Sequence, residues 1–161
     1  MLQRVSPEAP EWPFFLEIYA NYLLESWPDE FQHQPRSSIL INLEKQLHER
    51  IAEGGRYLFL FKKENDYVGF ANVYLMDRQA PDRPDSVLTL HIAEFCILPA
   101  FRRKHLGSHF LNHLIEFGEG KGAKMVWAEV DTTNERALSF WRHQLPHSLQ
   151  NKNRTSLWKE F

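Results

Sequence analysis

The sequence predicts a mixed α/β layer fold, and three observations carry that expectation. Segments with helical apolar spacing alternate with short apolar runs of strand type along the whole chain. Their order reads β-α-α-β-β-β-α-β-α-β. No internal repeat, linker or low-complexity tract interrupts them, so residues 1–161 are expected to form a single domain around one core. An apolar content of 43% with 14% aromatic residues is ample for that core.

Leu2–Val5 is expected as a short edge strand. The run from Pro13 to Trp27 reads as a helix, with Phe15, Ile18, Tyr19, Tyr22 and Leu23 on one face, ended by Trp27-Pro28. A loop leads through Pro35 to Ser37 or Ser38, either a suitable N-cap. The next helix carries Leu40, Leu43, Leu47 and Ile51 along one side and stops at Gly54-Gly55. Tyr57–Phe61 reads as a buried strand, turning at Glu64–Asp66 into a hairpin partner, Tyr67–Met76. Residues 77–86 form a charged, proline-bearing loop. Then come a strand over Val87–Ile97, a helix from His105 to about Phe117, a strand over 123–130 and a helix over 134–144. A final strand around Thr155–Phe161 closes the chain.

Charge and composition exclude several classes. A net charge of −2 argues against a nucleic-acid partner, which usually demands a basic stripe. The lone cysteine, Cys96, cannot form an intrachain disulfide and fits a reducing compartment. The first twenty residues mix acids, prolines and aromatics, so no signal peptide or membrane partner is expected and the cytoplasm is the expected location.

The chemistry concentrates after the strand ending at Ile97. The apolar run breaks at Pro99, a basic cluster Arg102-Arg103-Lys104 follows, and a helix opens at His105-Leu106-Gly107. Strand, basic turn and helix N-terminus in that order make a socket for a diphosphate, because free N–H groups and the positive dipole end face the bound group. The P-loop is excluded for want of a Gly-Lys-Ser/Thr ending, and the dinucleotide fingerprint for want of its three glycines. Downstream, Met125–Val130 reads as a strand, followed by Asn134-Glu-Arg-Ala-Leu-Ser-Phe-Trp141.

The stretch Arg102–Gly107 resembles motif A of the GNAT superfamily of N-acetyltransferases, Gln/Arg-x-x-Gly-x-Gly/Ala. Asn134–Trp141 is similar to its motif B, Asn-x-x-Ala-x-x-aromatic-Tyr/Trp. The resemblance implies a GNAT-like fold, a central mixed and mostly antiparallel sheet flanked by helices. It further implies that the strand after motif A splays from its neighbour and admits the pantetheine arm of acetyl-CoA. On that likeness the co-substrate is held by Phe95, Cys96, Ile97, Arg102, Arg103, Lys104, His105, Leu106, Gly107, Ser108, Asn134 and Trp141. The implied reaction is transfer of an acetyl group to a primary amine in one ternary complex, the acceptor being a small molecule or a peptide N-terminus. Oligomeric state stays open between monomer and homodimer.

Two departures stand out. His105 occupies the place of the first motif A glycine, at the cost of a strained backbone if φ > 0 is needed there. Trp141 stands where many relatives carry the tyrosine that protonates the departing thiolate, and an indole N–H is no physiological acid. With Leu145-Pro146 in place of the usual Gly-Phe, these departures motivate a rival reading, a CoA-binding module with little or no transfer activity. Proton removal from the amine needs a base. Glu94, among apolar neighbours, is one candidate; His91, three residues earlier and expected on the opposite strand face, is another. Glu129 is a third, weaker one. His105, His109 and His113 share a helix face, but no acidic or cysteine ligand accompanies them, and no metal is expected.

Overall fold

The computed structural model describes residues Met1–Phe161. Its strands are β1 (Leu2–Val5), β2 (Arg56–Lys63), β3 (Asp66–Gln79), β4 (Ser86–Ile97), β5 (Met125–Asp131), β6 (His147–Asn151) and β7 (Arg154–Glu160). They form one sheet in the order β1-β2-β3-β4-β5-β7-β6. Only β4 and β5 pair in parallel; all other neighbours are antiparallel. The helices are α1 (Trp12–Ser26), α2 (Pro28–Phe31), α3 (Arg36–Ala52), α4 (Leu106–Gly120) and α5 (Glu135–Gln144). The mixed sheet flanked by helices is the expected fold class. No helix is long and apolar enough to cross a membrane.

Alternation along β2 explains the two cores. Leu58 and Leu60 point to one face and meet Phe15, Ile18 and Tyr19 of α1 with Ile39, Leu43 and Leu47 of α3. Phe59 and Phe61 point to the other face and join Phe110, Leu111 and Leu114 of α4 and Leu138 and Trp141 of α5. A strand covered on both faces must be apolar throughout, which is why Tyr57–Phe61 reads as an unbroken run.

Four local expectations change. The α3 stripe is Ile39, Leu43 and Leu47, one position away from Leu40, which is only half-buried. Its N-cap is Pro35 rather than Ser37 or Ser38, since proline in an extended conformation already starts the helix without a side-chain bond. The 77–86 loop is shorter than expected, because β3 runs on to Gln79 and β4 begins at Ser86. Finally, β6 has no counterpart in the sequence reading. All five of its residues are exposed, so this edge strand carries no apolar alternation to betray it; its pairing with β7 alone defines it.

Two irregularities shape the sheet where it matters. Register between β3 and β4 shifts so that Asn72 opposes Glu94, whereas Val73 opposes Ile92 and Tyr74 opposes His91. Ala93 is the extra residue of a β-bulge. In addition, β4 and β5 pair only from Thr89–Ile92 against Met125–Ala128. Beyond that point β5 continues beside β7 alone, and the ends of β4 and β5 part.

Candidate active site

The parting strands open a cavity of about 850 Å³. Glu94 lines it, together with Phe95, Cys96, Ile97, Arg102, Arg103, His105, Leu106, Gly107, Ser108, Asn134 and Trp141. The structure thus brings together at one cleft nearly all the residues expected from the sequence. Lys104 is not among the lining residues; its ammonium lies 5.6 Å from the Phe101 ring centroid. His91 is also outside it.

One end of the cleft is built to receive an anion. After a 3₁₀ turn at Pro99–Phe101, Arg102 is extended, and both Arg103 (φ 62°) and His105 (φ 58°) are left-handed. Left-handed residues in such a turn direct successive N–H groups toward one side, a concavity suited to phosphate oxygens. His105 is also the N-cap of α4, its side chain caps nothing, and no acid occupies the first turn. The unpaired N–H groups and positive end of α4 therefore remain available. Gly107 serves a different need from the phosphate contact, since a Cβ there would lie 2.9 Å from the Phe140 ring of α5.

The basic cluster divides its labour. Arg102 grips Glu25 of α1 through Nη1 at 2.5 Å and Nη2 at 2.8 Å, and its Nε donates to the Ile97 carbonyl at 2.8 Å. This bidentate pair holds the Glu25 carboxyl below its ordinary range and ties α1 to the loop. Arg103, Arg136 and Arg154 also line the cavity and enter no ion pair, so they are the cations left for a ligand.

The other end holds a carboxylate in an unusual state. Because of the bulge at Ala93, Glu94 and His91 oppose Asn72 and Tyr74, two residues apart on β3, so both face the α1 side of the sheet. Simple alternation had put them on opposite faces; the extra residue reverses that. Half-buried Glu94 accepts a 2.6 Å hydrogen bond from the Tyr22 hydroxyl. Burial pushes its carboxyl up to about 7, against opposing effects from the Tyr22 bond and from Arg154 and Arg56. That value suits a group that must take up a proton near neutrality. Tyr22 itself is raised far above the ordinary phenol by burial and by Glu94, so it stays a donor.

Behind this pair lies a polar chain. Arg56 donates to Asn72 Oδ1 at 2.9 Å, and Asn72 donates to the Tyr19 hydroxyl at 3.1 Å. His91 is buried, stacks on Tyr74 with centroids 4.6 Å apart, and leaves its Nε2 without a partner. Burial, with Arg78 and Arg56 nearby, lowers it to about 4 and keeps the imidazole neutral. Glu129 reaches the rim but is engaged by Arg78 at 3.3 Å and by the Trp127 indole at 3.4 Å. The Cys96 thiol is pushed up to about 11 by burial and is inert at neutral pH.

On the far wall, Asn134 caps α5 by accepting from the Ala137 N–H at 3.1 Å. Trp141 is buried, edge-on to Phe95 at 5.6 Å and to Phe140 at 5.1 Å. Nowhere do three or more His, Cys, Asp or Glu side chains come together as metal ligands. Sequence reasoning missed Glu25, Arg136 and Arg154, and it placed Tyr22 on an aromatic helix face without joining it to the base. Tyr22 and Glu25 lie on an amphipathic helix where a core or solvent role is the simpler expectation, and Arg154 lies at the start of the last hairpin's return strand. Only the three-dimensional meeting of α1 with the bulged strand singles them out.

Comparison with known proteins agrees with this architecture. Residues 12–145 match the model of the acetyltransferase (GNAT) family. Among solved structures, the ribosomal-protein-alanine N-acetyltransferase of Brucella melitensis superposes with a TM-score of 0.66 at 16% identity, over 100% of this chain and 99% of that one. A GNAT family acetyltransferase from Elizabethkingia anophelis, with acetyl-CoA bound, gives 0.61 at 15% identity, over 100% and 97%. A transcriptional regulator from Bacillus halodurans C-125 gives 0.68 at 14%, over 89% and 90%. At these identities the likeness is one of fold, which hosts more than one role. The family pattern itself spans the chain from α1 to the end of α5, and the chain belongs to the acetyltransferase (GNAT) family.

Proposed function

We propose that this protein transfers an acetyl group from acetyl-CoA to a primary amine, with residues 1–161 acting as one catalytic domain. The observation that carries the reading is the meeting, in one cleft, of an anion cradle and a carboxylate poised near pH 7. Acetyl-CoA supplies the acyl group activated as a thioester. The N–H groups around Arg103 and His105, with the Arg103 and Arg136 side chains, hold its diphosphate. Phe95–Ile97 and Trp141 border the channel for its arm. Glu94 takes the proton that the ammonium form of the acceptor must lose, directly or through water, while Tyr22 fixes the carboxylate's direction. The amine nitrogen then forms its bond to the acyl carbon as the carbon–sulfur bond breaks, and the second proton that the nitrogen sheds on becoming an amide passes through water to the departing thiolate. His91, neutral and sealed from the cleft, is a structural residue in this scheme.

The rival reading, a CoA-binding module without transfer, draws on Trp141, which offers no acidic proton, and on the left-handed strain at His105. A thermal-shift measurement with acetyl-CoA and a thiol-release assay over a panel of amines separate the two. Release of CoA only when an amine is present supports transfer. A raised melting temperature without turnover on any amine supports the module.

A further inference from the structure

A second cavity, about 720 Å³, lies beside the cleft and shares two lining residues with it, Glu129 and Arg154. It occupies the face of the sheet that carries Glu94. Trp127 opposes His91 across the β4–β5 pair, Glu129 opposes Ser156, and Asp131 opposes Arg154 across the β5–β7 pair, so these side chains form one surface. The lining is mostly polar; the Arg78 guanidinium covers the buried Trp127 ring at 3.8 Å, and Leu149 is exposed at the edge.

The charge on this surface is unbalanced. Three basic side chains line the cavity (Arg78, Lys152 and Arg154) against one carboxylate, Glu129. Glu129 is taken by Arg78 at 3.3 Å. Arg154 uses Nη2 on the Glu129 carbonyl at 3.3 Å and, like Lys152, has no carboxylate at ion-pair distance. Asp131, which opposes Arg154 on the strand register and feels its charge, accepts from the Thr133 N–H at 2.9 Å and hydroxyl at 2.7 Å, so Lys152 is the cation with no acid set against it. Lys152 is therefore left as a free cation on this cavity, with Arg154 at its junction with the cleft that holds Glu94.

We propose that this second cavity is an acceptor subsite for an anionic group, a carboxylate carried by the acceptor at a distance from its reacting amine. The inference rests on the reading that the amine enters at Glu94. An acceptor whose remaining atoms run from Glu94 past Arg154 over β5 and β7 brings a second ammonium against Lys152 and Arg154, where it is repelled. A carboxylate there gains charge-assisted hydrogen bonds, and exposed Leu149 offers an apolar edge to the intervening methylenes.

The test compares 6-aminohexanoate, hexylamine and 1,6-diaminohexane as acceptors, with a second arm of short peptides that are acidic or basic after a free N-terminus. The account predicts kcat/KM for 6-aminohexanoate or the acidic peptide about tenfold or more above the neutral and cationic counterparts at low salt, converging as ionic strength rises. Preference for the free amino acid or for the peptide assigns the source of the carboxylate. In Lys152→Glu, an exposed turn position, the advantage falls about tenfold through KM, with hexylamine turnover and melting temperature held. Equal or better use of the neutral amine or the diamine overturns the subsite while leaving transfer intact. If no amine is acetylated, calorimetric titration of the CoA-bound protein decides. Tighter binding of 6-aminohexanoate than hexylamine, lost in Lys152→Glu, keeps the subsite and fails the transferase reading; equal binding overturns the subsite.

Discussion

Replacing Tyr22 by phenylalanine removes one hydroxyl and one 2.6 Å hydrogen bond to Glu94, and little else. The ring keeps its edge contacts with Tyr19, Trp27 and Phe70. A hydrogen bond to a charged group contributes roughly 1.5–3 kcal/mol, and one pKa unit corresponds to about 1.4 kcal/mol. The bond favours the ionised carboxylate, so its loss raises Glu94 further above its present value of about 7. Water entering the vacated space recovers part of the bond, leaving a rise of about one unit. The assay is the ratio of variant to wild-type kcat/KM across pH, in which the acceptor's own ionisation cancels. That ratio is expected near 0.1 (about tenfold loss, one pKa unit) below pH 6, climbing toward one above pH 9. A ratio that is the same at every pH would refute the argument, since a purely structural tyrosine lowers activity uniformly.

Glu94→Gln should change stability in a pH-dependent way. The folded-state pKa, about 7, lies above the unfolded value of 4.5, so the native protein binds the extra proton and wild-type stability falls as pH rises from 4.5 through 7. The variant lacks this loss and gains up to about 3 kcal/mol on the wild type by pH 8, read from urea midpoints. His105→Gly relieves a left-handed residue at φ 58° and should add about 1 kcal/mol of stability while tightening acetyl-CoA; unchanged stability would mean the backbone there is unstrained. Gly69→Ala drives a Cβ to 2.2 Å from the Cys96 carbonyl oxygen beside the cleft, and a loss of about 1–3 kcal/mol is expected in thermal melts. Trp141→Tyr should leave turnover unchanged or higher; a severe loss with acetyl-CoA binding intact would show that the indole does more than pack.

The sequence displays the cofactor end of the site more openly than the acceptor end, for a physical reason. A phosphate cradle is local. Strand, basic turn and helix start lie within Ile97–Leu111, so consecutive residues reveal it, and even the doubtful residue, His105, is found in the left-handed conformation that its position demands. The base is not local. Glu94 is raised by its burial, is oriented by Tyr22, 72 residues away, and is turned by a bulge at Ala93 that no alternation rule registers, which is why His91 and Glu94 share a face against expectation. Arg102 looks in sequence like a phosphate ligand, yet Glu25 holds it, a pairing across 77 residues. Strand β6 is invisible because it buries nothing.

The central claim is that a single cleft both holds acyl-CoA and removes the amine's proton through Glu94. Thiol release in the presence of an acceptor amine, measured for wild type and Glu94→Gln alongside the acetyl-CoA-induced rise in melting temperature, tests it most directly. The account predicts equal thermal shifts in the two proteins and a loss of turnover of about a hundredfold or more in the variant. Turnover that survives in Glu94→Gln, or an absence of turnover in the wild type despite a full thermal shift, would contradict it.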